Sequence, residues 1–383
     1  VVAIDSYAGG DGRLSPLSTP SATRAVLEAH GIGTKYTLGQ NFLVNDDVLK
    51  KIIALAEVGE NDRVLEVGPG IGTLTIALLK HAASVIAIER DPDLPAVLAD
   101  TLHPWREKFA LIEKDALDVT RDDIVSVAST MVEPGGDTGC PDRASSAANE
   151  TAQWAVSQSE DCLSESRYRV AVPQEELRPS LPSKLVANLP YAVAATVVLD
   201  YFENFPFLDS ATIMVQKEVA DRMAAAVGTK NYGAYTVKLG LYAEPVGRFA
   251  VGPGNFFPPP RVDSAVIRLN RRVPLMADGA PASPEVIAAA ALMADAAFTN
   301  RRKTIANSCK TYFSGRGPIL LGVADSSAAE GAPTIALPDG AATAERLPAI
   351  FEAAAIDPRR RGETLTQQEF LALGAALLRV TAA

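Results

Sequence analysis

DRVLEVGPGIGTLTIALLKH, residues 62–81, changes character twice along its length. The apolar run Val64–Val67 reads as a short buried strand, Gly68-Pro69-Gly70-Ile71-Gly72 as a turn, and the apolar residues beyond as a helix. Glycines at such a turn let backbone approach a ligand, and a helix N-terminus favours negative groups. The same rhythm recurs downstream. SVIAIER (84–90) predicts a second strand ending in Glu89, and a helix through Leu94–Leu102 leads to FALIEKDAL (109–117), a third strand that runs out at Asp115. KLVAN (184–188) predicts a fourth strand with a helix through Ala194–Tyr201, and SATIMVQKEVADRMAA (210–225) a fifth strand and helix. Strands alternating with helices predict a parallel α/β sheet, which binds ligands at the carboxyl ends of its strands near the topological switch point.

The rest of the chain sorts around that sheet. Residues 1–34 read as a mostly disordered extension and residues 119–183 as a low-complexity acidic insertion, rich in Gly, Ser, Ala and Pro. Tyr235 to Leu269 predicts closing strands around the loop GNFFPPPRVDS (254–264). From Pro281 the pattern is helical, in four candidate segments, with a flexible insertion over about 315–344. The organisation expected is a sheet domain over 35–270 and a helical domain over 271–383.

Composition bounds the function. No apolar run approaches the ~18 residues that span a bilayer, and the first residues lack the basic and apolar regions of a signal peptide. Cys140, Cys162 and Cys309 form no CxxC pair and His30, His81 and His103 lie apart from them, which predicts a reducing cytoplasmic setting and no metal site. The net charge of −10 speaks against a nucleic-acid partner until its distribution is considered. Residues 118–183 carry 12 acidic and 5 basic residues, whereas 184–316 carry 15 basic and 10 acidic. Binding follows such local patches rather than totals.

Three carboxyl-end positions carry chemistry. Glu89 stands where a carboxylate can accept both ribose hydroxyls of an adenosine-bearing cofactor, and Asp115 where one can accept from the adenine amine. Each could equally be a helix cap. The turn spells GPGIG rather than GxGxxG, which favours S-adenosylmethionine over a dinucleotide. The fourth strand ends in Asn188-Leu189-Pro190-Tyr191, at the place expected for the methyl donor. An adenine amine is a poor nucleophile because its lone pair is conjugated with the ring. Acceptors on its protons, the Asn188 side-chain carbonyl and the Leu189 backbone carbonyl, let the nitrogen pyramidalise, while Pro190 stiffens the turn and Tyr191 offers a stacking face. Arg301-Arg302-Lys303 is either a solvated surface or a phosphate-tracking cluster.

YTLGQNFL (36–43), LEVGPGIGTLT (65–75), IER (88–90), KDAL (114–117), ANLPY (187–191), QKEVADRM (216–223), FFPPPRVDSAV (256–266) and NRRKTIANS (300–308) together resemble the KsgA/RsmA family of small-subunit ribosomal RNA adenine dimethyltransferases. The resemblance implies an α/β fold: a Rossmann-like class I methyltransferase sheet of seven mainly parallel strands with a smaller all-α C-terminal domain. It implies S-adenosylmethionine as cofactor, contacted by Asn41, Leu43, Gly68, Glu89, Asp115 and Asn188. It places the target adenine between Tyr191 and Phe256, beside Asn188, Leu189 and Pro190, and ribosomal RNA on Arg301, Arg302 and Lys303. The implied reaction puts two methyl groups on N6 of each of two adjacent adenosines near the 3′ end of 16S rRNA, by a monomer acting on the immature 30S subunit. Alternatives on the same fold are a 23S rRNA adenine methyltransferase of the macrolide-resistance type and a non-catalytic assembly or nucleic-acid-binding factor. A DNA adenine methyltransferase is a third, although such enzymes typically carry Asp at the position of Asn188.

Overall fold

A computed structural model describes residues 12–33, 40–131, 180–317, 319–322 and 334–382. In chain order its strands are Phe42–Leu43 (β1), Arg63–Val67 (β2), Ser84–Glu89 (β3), Phe109–Glu113 (β4), Lys184–Asn188 (β5), Ser210–Gln216 (β6), Ala243–Val251 (β7), Phe256–Phe257 (β8), Ser264–Arg271 (β9), Ile319–Gly322 (β10) and Thr334–Leu337 (β11). Seven of them form one sheet in the order β4-β3-β2-β5-β6-β9-β7. β4, β3, β2, β5 and β6 run parallel, with Val64 opposite Val85 on one side and Leu65 opposite Leu185 on the other. β2 and β3 are apolar and buried almost throughout, as strands covered on both faces must be. β2 lies between β3 and β5, so the strand order reverses there, and β2, β3 and β5 end together at the switch point.

The described helices are Pro20–Ala29 (α1), Asp46–Ala56 (α2), Thr73–Leu79 (α3), Leu94–Thr101 (α4), Arg121–Thr130 (α5), Ala194–Asn204 (α6), Lys217–Met223 (α7), Ala234–Gly240 (α8), Pro284–Phe298 (α9), Ile305–Phe313 (α10), Gly340–Ala353 (α11) and Gln367–Ala382 (α12). The chain divides into two compact units. One comprises residues 1–194, 207–215 and 249–266, with a core that includes Val64, Ile76, Val97, Val186, Met214 and Val266. The other comprises residues 195–206, 216–248 and 267–383, around Met293, Phe313, Phe351, Phe370 and Leu377. This division departs from a single boundary at 270, because the helices following β5 and β6 group with the C-terminal helices.

Four local expectations are corrected. Residues 12–33 are not a disordered extension: Thr19 caps α1, Leu17, Val26 and Leu27 enter the core, and Asp46 accepts the amides of Leu14 and Ser15. The supposed insertion does not begin at 119, because Thr120 and Asp123 form a capping box that starts α5; residues 132–179 lie outside the described ones. Ala234–Gly240 is a helix rather than a closing strand, with Thr236 reaching back to the Gly233 amide. The C-terminal region is not purely helical, since β10 and β11 pair antiparallel within the segment expected to be flexible.

In the second unit, Glu203 is a carboxyl on the inner side of α6. Burial pushes it up to about 7 from an ordinary 4.5, opposed by Lys238 and reinforced by Asp200. Between those two values the folded state keeps a proton that the unfolded chain has lost, so stability falls as pH rises through that window. Glu203→Gln, neutral at every pH, is expected to be more stable than the parent by about 1–3 kcal/mol at pH 8 and to lose that advantage towards pH 4.5. Thermal unfolding of both proteins across this range checks it.

Candidate active site

The glycine turn after β2 is held open by conformation and by packing. Gly68, Gly70 and Gly72 have φ of +70°, +61° and +90°, a region that residues with a β-carbon rarely enter. A β-carbon on Gly70 would also sit 3.1 Å from the Phe42 ring. The Gly68 amide donates to the Ile88 carbonyl at 2.9 Å, carrying the β2–β3 ladder one residue further and fixing where the turn begins. Across the switch point, the space a Gly68 β-carbon would fill lies against Pro190 and the Asn188 carbonyl, at 3.7 and 3.9 Å. The turn and the Asn-Leu-Pro-Tyr segment therefore face each other.

Glu89 ends β3 almost fully buried, its Oε1 accepting the amides of Arg90 and Asp91, both at 2.9 Å. Burial raises its pKa, and the Asp91, Arg90 and Gly70 amides offset this only in part. Glu66, one residue before the end of β2, is wholly buried, and burial pushes its carboxyl up to about 8, with the charge of Glu89 adding to the effect. Glu66 Oε2 and the Thr73 hydroxyl find no hydrogen-bond partner among the described residues, and the Thr75 hydroxyl beside Glu66 offsets the effect of burial only in part. Buried polar atoms are normally paired, so these unmet groups around the glycine turn fit a polar ligand with hydroxyl or ammonium donors.

Residues 40–43 are tied down on two sides of the turn. Gln40 Nε2 donates to Asp91 Oδ2 at 2.7 Å, and the Asn41 carbonyl accepts from Asn188 Nδ2 at 3.0 Å. A carbonyl can only accept, so the Asn188 amide is oriented with its nitrogen on Asn41 and its oxygen Oδ1 left for another donor. The Leu189 amide donates to the Met214 carbonyl at 3.1 Å, and the Pro190 carbonyl accepts from Val193 and Ala194. No donor among the described residues reaches the Leu189 carbonyl. Two acceptors thus stand one residue apart on a proline-stiffened turn. The Tyr191 hydroxyl is paired with Ser264 Oγ at 2.5 Å, which anchors a half-buried ring whose phenol is shifted up by burial.

Two expected side chains are placed otherwise. Leu43 and Phe256 face each other in the β1–β8 pair and are both buried in the core. Consecutive residues of a strand point to opposite faces, and here Phe256 takes the inner one. Its ring is packed rather than offered for stacking. Phe257, opposite Phe42, is the more exposed ring, and the Arg24 guanidinium lies 5.3 Å from its centroid. Asp115 is where expected, beyond β4, with Oδ2 on Arg90 Nη1 at 2.7 Å and Oδ1 accepting the Leu117 amide at 3.1 Å.

The second unit holds the basic cluster in a loop, not in a helix. Thr304 caps α10 by accepting the Asn307 amide, so Arg301, Arg302 and Lys303 precede the first turn. Arg301 donates to Glu363 at 3.0 Å and to the Thr229 carbonyl at 3.1 Å, which binds it to its own unit. Arg302 and Lys303 are exposed, with no side-chain partner among the described residues. Sequence reading missed Glu66, Arg90, Asp91 and Ser264. Only Glu66 carried a signal, a carboxylate inside an otherwise apolar strand.

Comparison with known proteins places the chain within a family. The family model described as "Ribosomal RNA adenine dimethylase" matches residues 33–332. The "Ribosomal RNA small subunit methyltransferase A" of Geobacillus sp. (strain WCH70) is 33% identical over 364 residues, which is 95% of this chain and 98% of the relative. That of Enterococcus faecalis (strain ATCC 700802 / V583) is 32% identical over 365 residues, 94% of this chain and 96% of its own length. Among solved structures, a dimethyladenosine transferase from Plasmodium falciparum shares the fold with a TM-score of 0.52 at 20% identity, covering 87% of this chain and 95% of that one. A glycine turn facing an Asn-Leu-Pro-Tyr segment, and a match spanning both units, place this chain in the ribosomal RNA adenine dimethylase family.

Proposed function

We propose that the protein dimethylates N6 of two adjacent adenosines in the hairpin loop near the 3′ end of 16S rRNA, acting as a cytoplasmic monomer on the immature 30S subunit. S-adenosylmethionine, the methyl donor of the family, supplies an electrophilic methyl group when bound. Glu89 accepts the ribose hydroxyls, Asp115 the adenine amine, and Gly68, Asn41 and Asn188 line the side facing the methyl group. Leu43 contributes through its backbone, since its side chain is buried. No described helix is long and apolar enough to cross a membrane.

The orientation of Asn188 carries the proposal. With Nδ2 held by Asn41, Oδ1 is left to accept, as is the carbonyl of the next residue, Leu189, giving two acceptors for the two protons of an adenine amine. As the nitrogen attacks, it gains positive charge, and acceptors already fixed in place stabilise that charge more than they stabilise the ground state. For the second transfer one proton remains, and one acceptor suffices. Tyr191, held by Ser264, supplies the face against which the base lies flat. Phe257 is the better placed of the two phenylalanines to take part in stacking. Arg302 and Lys303, exposed and without a side-chain partner among the described residues, are suited to phosphates, whereas Arg301 shapes the loop that presents them.

Glu89→Ala removes a charged acceptor whose hydrogen bonds are worth about 1.5–3 kcal/mol each. Affinity for S-adenosylhomocysteine by calorimetry is expected to drop at least about tenfold while the fold persists; unchanged affinity places the cofactor elsewhere. Asn188→Ala should slow tritiated methyl transfer to unmethylated 30S particles far more than it weakens binding to them. Normal transfer by that variant, or transfer to 23S RNA in its stead, refutes the assignment. Arg302→Ala with Lys303→Ala should leave cofactor binding intact and flatten the plot of log affinity for 30S particles against log salt by about 0.7–0.9 per lost contact. An unchanged slope returns both residues to the solvated surface.

A further inference from the structure

Arg90 occupies a position that neither the glycine turn nor the Asn-Leu-Pro-Tyr segment explains. It is the first residue beyond β3, and it touches both carboxylates assigned to the adenosine half of the cofactor. Its backbone amide donates to Glu89 Oε1 at 2.9 Å. Its Nη1 crosses to the end of the neighbouring parallel strand β4 and donates to Asp115 Oδ2 at 2.7 Å. Asp115 Oδ1 is fixed independently by the Leu117 amide at 3.1 Å, so both oxygens, and with them the plane of the carboxylate, are set.

We propose that Arg90 is a positioning residue of the cofactor site, holding Asp115 at a fixed distance and angle from Glu89 so that one adenosine satisfies both acceptors. The inference rests on the cofactor assignment made above. The ion pair is half exposed, at 48% for Arg90 and 32% for Asp115, and exposed pairs contribute little to folding. Its consequence is geometric. A carboxylate beyond a strand end, freed of the guanidinium, samples several rotamers, and only some of them present a lone pair to an amine whose ribose is already held by Glu89. Each Asp115 oxygen retains a further lone pair after its present bond, so the pairing with Arg90 prepares the acceptor and does not consume it.

A double-mutant cycle tests it on the full chain, with S-adenosylhomocysteine as the probe in calorimetry and thermal unfolding of the ligand-free protein as the control. Arg90→Met, which keeps the length of the stem, is expected to weaken binding about five- to tenfold with no change in unfolding temperature. In an Asp115→Ala background the same substitution should have no further effect, and Arg90→Lys should recover part of the loss. Full affinity in Arg90→Met, or losses that simply add in the double variant, overturns the proposal. Absence of binding by the parent protein would instead overturn the cofactor assignment, so the two failures are distinguishable.

Discussion

β2 is hydrogen-bonded on both edges by parallel strands that follow it in the chain, β3 directly and β5 after a long excursion. The arrangement at the carboxyl edge depends on this. Parallel pairing brings the ends of β2, β3 and β5 to one level, so the glycine turn, Glu89 and Asn188 converge without long side chains to reach one another. The left-handed glycines then keep the middle of that edge free of side chains. What remains is an edge of backbone with carboxylates on the β3 and β4 side and carbonyl acceptors on the β5 side.

The segment 40–43 closes this edge from a different direction. Its bonds to Asp91 and Asn188 stand on opposite sides of the turn, and the Phe42 ring covers Gly70. One short stretch therefore both covers the glycine turn and orients the Asn188 amide. The carboxyls of Glu66 and Glu89 are both buried, and desolvation shifts both up, which favours their protonated forms.

How much of this was legible follows the range of the forces involved. The strand–turn–helix units, Glu89 and the Asn-Leu-Pro-Tyr turn were readable because periodicity, glycine and proline act locally. α1 was not, since Leu17, Val26 and Leu27 are sparse among small and polar residues, and tertiary packing decides their burial. α8 was mistaken for a strand because AYTVKLG carries β-branched and aromatic residues whose preference tertiary packing overrides. Phe256 and Phe257 are adjacent and chemically equal, and only the β1 register decides which one turns inward. Arg301 looked identical to its neighbours until Glu363, far along the chain, claimed it.

The bond between Asn41 and Asn188 also dates the birth of the site. These residues are 147 positions apart, and the Leu189 amide that shapes the turn waits for Met214, later still. A chain emerging from the ribosome N-terminus first can build β2, α3, β3 and β4 early, but no methyl-transfer pocket exists until β5 and β6 have been made and docked. Contacts so distant in sequence form late because their loops must close before the contacts are gained. The nascent protein is thus chemically silent through more than half of its own synthesis, and Tyr191 waits longer still, for Ser264 at the start of β9.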